Sequence, residues 1–208
     1  MPFKKICAAA IVALAIAAPA SADILYENGA LNGQYGALTI DQTQAISNSF
    51  SIGQASILTS ATIGLWSASG TAPTALSWSI GSTAFANDLG GGTSALSDVY
   101  AFTNSFDYDI NLGTFSLSLA LGAGNYWLTL FDGTSSAGGD IFWDVNFGPS
   151  AAQYGNVAGT GDADSEYFKL SGDAVTDPGP APVPEPSSVA LLAIGMIAFA
   201  ACRRRASR

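Results

Sequence analysis

Residues 106–121 read FDYDINLGTFSLSLAL, and within them Phe115, Leu117, Leu119 and Leu121 alternate with Ser116, Ser118 and Ala120. A period of two puts one set of side chains on each face of an extended chain, apolar on one side and polar on the other. Phe106, Tyr108, Ile110 and Leu112 alternate in the same way with Asp107, Asp109 and Asn111, which places both aspartates on the wet face. The pattern recurs elsewhere. Leu76, Trp78 and Ile80 alternate with Ser77 and Ser79, and Ile141, Trp143, Val145 and Phe147 with Phe142, Asp144 and Asn146. Clusters of Gly, Asn and Asp punctuate the runs at Asn32-Gly33, Gly90-Gly91-Gly92, 121–124, Asp132-Gly133, Gly138-Gly139 and 159–161. No segment sustains a helical period, and no repeat recurs at a fixed spacing. The reading is an all-β domain of nine or ten short antiparallel strands, a β-sandwich or jelly roll, over residues 23–172. A body of about 150 residues buries roughly 70% of its unfolded surface without covalent staples.

Charge and composition exclude several functions. The 208 residues carry sixteen acids and seven bases, but the bases lie at the chain ends: Lys4, Lys5, Arg203, Arg204, Arg205 and Arg208. Lys169 alone opposes all sixteen acids between Asp23 and Glu185, a formal −15. Such a surface repels phosphate backbones, so nucleic acid is excluded as a partner. There is no histidine, and Cys7 and Cys202 fall in the terminal apolar segments. Zinc sites with His or Cys ligands, Ser-His-Asp and Cys-His nucleophiles and a structural disulfide are thereby excluded from the middle.

The ends read as addresses. Lys4 and Lys5 precede thirteen apolar residues, 6–18; Pro19 then breaks the helix, and Ala20-Ser21-Ala22 forms a small-x-small cleavage site before Asp23. Residues 1–22 are thus expected to be a secretory signal peptide, since so short an apolar run does not span ~30 Å of hydrocarbon. At the other end, residues 173–188 form a linker whose stretch 177–186 (DPGPAPVPEP) contains five prolines and is extended and solvated. Residues 189–202 (VALLAIGMIAFAAC) follow as a short expected transmembrane helix, and Arg203-Arg204-Arg205 in 203–208 marks the cytoplasmic side.

Pro184-Glu185-Pro186, the apolar stretch and the arginine cluster, in that order at a chain end, resemble the PEP-CTERM sorting signal of Gram-negative bacteria that make extracellular polysaccharide. The same segment also carries the label "ice-binding protein C-terminal", although flat threonine arrays are absent here. The resemblance implies a precursor cut by signal peptidase and held transiently in the inner membrane with a periplasmic ectodomain. Exosortase then recognises Pro184, Glu185 and Pro186, and the protein passes to the surface or matrix. Residues 121–130 (LGAGNYWLTL) resemble a hairpin-and-strand pattern of bacterial extracellular β-sandwiches, and 143–150 and 165–168 resemble ectodomains found beside such tails.

Candidate sites are few. Asp162, Asp164 and Glu166 stand at alternate positions in a Gly-flanked loop. That arrangement suits calcium, but it lacks the Gly and distal Glu of an EF-hand, so a solvated acidic loop is the favoured reading and no cofactor is expected. Trp78 and Trp143 fall on apolar faces, and Trp127 lies on a strand buried on both faces. Trp66, opposite Ala61, Ile63 and Leu65, is the candidate exposed ring for stacking on a sugar, and Trp143-Asp144 with Asn146 offers similar neighbours. Only paired carboxylates remain for catalysis, and no spacing links Glu27, Glu166 or any Asp into a pair. The expected function is that of a non-enzymatic, exosortase-processed protein of the surface or matrix, associated with exopolysaccharide or biofilm. The alternatives are a carbohydrate-binding module and a small glycan-processing enzyme.

Overall fold

The structure, a computed structural model, describes residues 22–156 and 158–175. The signal peptide expected before Asp23, apart from Ala22, lies outside the described residues, as do the sorting motif, the apolar span and Arg203–Arg205. Among the described residues there is no helix, and none is therefore long and apolar enough to cross a membrane.

Two antiparallel sheets stack face to face in a sandwich-like body. The first is organised on β4 (Ser56–Ala68), whose whole length pairs with β8 (Tyr108–Leu121), from Ser56↔Leu121 to Ala68↔Tyr108. β7 (Ser97–Thr103) adds to the far side of β8. The other edge of β4 is divided. β13 (Phe168–Ala174) takes Ser56 to Ile63 and carries β1 (Asp23–Glu27) outside it, while β10 (Phe142–Asp144) takes Leu65 and Trp66 and carries β2 (Ala37–Thr39). The second sheet runs β12 (Gly159–Ala163), β11 (Ala152–Asn156), β3 (Gln44–Ile52), β9 (Gly124–Ser135), β5 (Pro73–Gly81), β6 (Gly90–Ala95). The core lies between the inner faces, where Ile46, Leu128, Leu130, Leu76 and Ile80 of the second sheet meet Leu58, Ile63, Leu65, Phe115 and Phe168 of the first.

The period-two reading holds where it is cleanest. Phe115, Leu117 and Leu121 are buried, while Ser116, Ser118 and Ala120 are exposed. Trp127 sits on β9 between β3 and β5, the central position expected. Other readings need correction. The described residues form thirteen strands rather than nine or ten, because three-residue strands such as β2 and β10 are too short to show a period. The last strand runs to Ala174, two residues past the expected boundary. Residues 121–124 are not a hairpin turn: β8 belongs to the first sheet and β9 to the second, so this Gly-rich stretch carries the chain between layers. Gly90-Gly91-Gly92 lies inside β6. Asp132-Gly133 lies inside β9, where Asp132 has φ 49° and the pairing with β5 is irregular. Glycine is required at 133, because a Cβ there would come within 2.4 Å of Ile141 Cγ1 and 2.7 Å of the Ile40 carbonyl oxygen.

Phe168 ties the layers together. Its buried ring lies 5.8 Å from Trp143, 5.3 Å from Tyr26 and 6.4 Å from Phe50 across the sandwich. Truncation to Ala leaves a cavity among three rings, so Phe168→Ala should lower unfolding free energy by about 3–5 kcal/mol in a urea titration. A loss under ~1 kcal/mol would place this ring outside the core.

Candidate functional site

At Gly64 the edge of β4 passes from β13 to β10, and the chain makes close contacts there. A Cβ on Gly64 would lie 2.5 Å from Leu31 Cδ1 and 3.2 Å from Asp144 Cβ. Asp144 ends β10 on the outer face of the first sheet, where alternation predicts water, yet it is fully buried. The cause is the N-terminal segment 29–36, which crosses this face. Asp144 Oδ1 accepts hydrogen bonds from Trp66 Nε1 (2.7 Å) and the Gly33 amide (2.8 Å), and Oδ2 from the Asn32 amide (2.9 Å). Burial pushes its carboxyl above the usual carboxylate range, against the downward pull of these three bonds.

Trp66 is therefore not the exposed sugar-stacking ring that its position suggested. It is 5% exposed, bonded to Asp144 and covered by Phe106 (6.2 Å, stacked) and Tyr108 (5.8 Å). Both faces of β4 are buried at this point, Leu65 by the core and Trp66 by the outer cover. Asp109 is also buried rather than wet, accepting from the Gly70 amide (2.8 Å) and Thr103 Oγ1 (2.7 Å). Asp107 lies before the strand in a turn, at φ 60°. Phe147, expected inside, is exposed and packs on Tyr35 (5.3 Å).

Glu166, like Asp144, is fully buried. Asp162 and Asp164 are exposed, while Glu166 turns inward at the bridge Val145↔Glu166 and accepts from Asn48 Nδ2 through Oε2. Its amide donates to Asn48 Oδ1 (3.2 Å), which also accepts from Ser150 Oγ (2.8 Å), and Asn28 Nδ2 donates to the Glu166 carbonyl (2.6 Å). Asn48 belongs to the inner row of β3 with Ile46 and Phe50, so this polar knot joins the two sheets. Glu166 Oε1 has no partner, and burial, reinforced by the charge of Asp164, raises the carboxyl to about 8. Among the described residues no three Asp or Glu side chains gather to hold a metal ion. Trp78 and Trp143 are accounted for by packing. Trp78 stacks on Phe115 (5.7 Å) and donates to Ser94 Oγ (3.0 Å), and Trp143 donates to the Tyr167 carbonyl (2.7 Å). Asn146, named beside Trp143-Asp144, donates to the Asn28 and Ala30 carbonyls.

The outer face of the second sheet carries a depression, which the sequence does not announce. Ser77, Ser79, Thr129 and Gly91 share this face by register, and residues 82–89 arch over part of it. The arch lies close because Gly81 and Gly155 have no side chains: a Cβ at 81 would meet Ala86 at 2.5 Å, and one at 155 the Phe85 ring at 3.0 Å. Ser79 Oγ donates to the Ala86 carbonyl (3.2 Å), and Asp88 accepts from the Ser82 amide (3.0 Å) and Oγ (2.8 Å). A depression of about 770 Å³ results, adjoined by one of about 430 Å³ that shares Ala45, Phe85 and Phe131. The small hydroxyl residues were the available signal, but they read as an ordinary wet face. The arch that makes Ser77 and Ser79 buried has no periodicity to announce it.

Residues 182–205 match the family model of the PEP-CTERM protein-sorting motif. The match spans Pro184-Glu185-Pro186, the apolar stretch and Arg203–Arg205, and agrees with the resemblance of the tail. No curated protein and no solved structure matches the chain.

The raised carboxyl of Glu166 makes stability depend on pH. The folded protein keeps a proton that the unfolded chain loses near 4.5, so this contribution is full below about pH 4.5 and fades as pH rises to about 8. Over that window stability should fall by up to ~1.4 kcal/mol per pH unit from this group. Glu166→Gln should flatten the fall and be the more stable protein at pH 8, as read by denaturant titrations from pH 5 to 8. An unchanged slope in the variant would show that Glu166 titrates normally.

Proposed function

We propose that this chain is an exported, non-enzymatic protein of the cell surface or extracellular matrix, processed by exosortase and associated with exopolysaccharide in a biofilm. The observation that carries the reading is the sorting motif at 182–205, placed behind a β-rich body that ends at Ala174. The motif implies export, passage through a membrane and processing by exosortase. In the proposed route signal peptidase cuts before Asp23, residues 189–202 pause in the inner membrane with the sandwich on the periplasmic side, and exosortase removes the basic end. Prolines cannot join a helix or a sheet, so those on either side of Glu185 would leave the recognition peptide open to an enzyme at the membrane surface.

The non-enzymatic part of the reading is supported by the carboxylates. Without His, and with Lys169 as the single base between Asp23 and Glu185, acid–base chemistry would rest on Asp and Glu. Glycoside hydrolysis needs two of them facing each other across a cleft. Asp144 and Glu166 are both shut away from solvent and committed to hydrogen bonds within the fold.

Intact-mass measurement of the protein released at the cell surface tests the proposal. The mature species should begin at Asp23 and lack Arg203–Arg205, and cells without exosortase should retain the arginines. A surface form that keeps the arginine tail would overturn it.

A further inference from the structure

Among the described residues, the depression across the second sheet is an open feature that packing does not explain. Its larger lobe is lined by no charged residue, in a body whose formal charge is strongly negative. Hydroxyls form the floor: Ser77 pairs with Thr93 (2.9 Å), and Thr129 beside them donates to the buried Ser47 beneath (2.9 Å). Each hydroxyl has two acceptor lone pairs and one donor, so these pairs leave hydrogen-bonding capacity free. Two half-buried rings, Phe85 and Phe131, stand over the floor between the lobes, and the exposed Asn87 contributes an amide beside them. Phe85 is held at φ 62°, a conformation that bulky residues rarely adopt. The arch fixed by Asp88 thus sets its ring in place on the sheet.

We propose that this depression is a binding site for an uncharged polysaccharide chain. The ligand must offer hydroxyls to the floor and apolar C–H faces to the rings, and a sugar does both. Other classes fit less well. An acyl chain would cover hydroxyls without bonding them, which costs free energy. An extended peptide gains affinity from the unpaired backbone at a strand edge, whereas the middle of this floor is a sheet face whose strands β5, β9 and β3 are each paired on both sides. Nucleic acids and acidic glycans are repelled by the body's charge. The two lobes share Phe85 and Phe131, so several sugar units of one chain run past the rings. Binding needs only the folded sandwich and is independent of how the protein is sorted, so failure of one reading leaves the other standing.

The test uses the purified exported protein and a panel of neutral hexasaccharides of glucose, galactose and mannose in both linkages, with oligogalacturonate as the anionic comparison. At least one neutral probe should bind and oligogalacturonate should not. Phe131→Ala should weaken binding at least tenfold. Asn87→Ala, at an exposed position that the fold does not need, should weaken it severalfold. Phe106→Ala, a ring on the other sheet, should leave it unchanged. The proposal is overturned if no neutral probe binds or if oligogalacturonate binds equally well. It is also overturned if Asn87→Ala, together with any Phe131→Ala protein that melts as the parent does, binds as the parent does.

Discussion

The carboxylate of Asp144 holds the first sheet closed. It takes hydrogen bonds from two consecutive amides, Asn32 and Gly33, and from the Trp66 indole, and so joins the N-terminal segment to the middle of β4. Moving a carboxylate out of water costs several kcal/mol unless its lone pairs find donors, and bonds from N–H to an ionised oxygen are the strong kind. The close approach at Gly64 and the seat of Tyr167 beside Asp144 follow from this one arrangement. So does the point at which β13 gives way to β10 along β4. The Tyr167 amide donates to the Asp144 carbonyl (2.8 Å) and Gly64 to that of Tyr167 (3.2 Å), which carries the link across both neighbours.

The same economy runs through the domain. With Lys169 the single cation among the described residues, acids are satisfied by N–H and O–H donors in place of ion pairs. Asp41 accepts from the Thr43 and Gln44 amides, Asp88 from Ser82, and Asp109 from Gly70 and Thr103. The hydrogen bonds from Ser82 hold Asp88 below the usual carboxylate range, and those from Thr103 and Gly70 do the same for Asp109. These two groups therefore favour the folded state above the ordinary carboxylate pKa, and their contribution is lost as pH falls. Burial acts in the opposite sense on Asp144 and Glu166, whose contributions are lost as pH rises. The two sets together place the most stable condition on the mildly acidic side of neutrality.

How much of this was legible depended on range. The alternation from Phe115 to Leu121 is local, and it gave the right faces because one side of that segment meets the core and the other meets water. The sorting tail was legible for a different reason: it is a linear address that needs no fold to be read. Asp144 and Trp66 were misread because what covers them comes from elsewhere in the chain, Asn32 and Gly33 more than a hundred residues from Asp144 and Phe106 some forty from Trp66, which no period reports. Glu166 looked like one of three loop acids, yet its partner Asn48 lies on β3, 118 positions earlier. The 121–124 stretch shows the limit of turn signals. Glycines mark where the chain bends, but not whether it returns to the same sheet.

Two surfaces thus divide the work of the sandwich. One is closed by Asp144 and keeps the fold; the other, floored by hydroxyls and flanked by Phe85 and Phe131, stays open to a ligand. Hydrogen exchange at the Asn32 and Gly33 amides, followed residue by residue by NMR, tests the closure most directly. If Asp144 fixes the segment, both amides exchange only through global unfolding, as slowly as those of Ile63 and Leu65 in β4. Exchange at the rate of a solvated loop, with β4 still protected, would contradict the account.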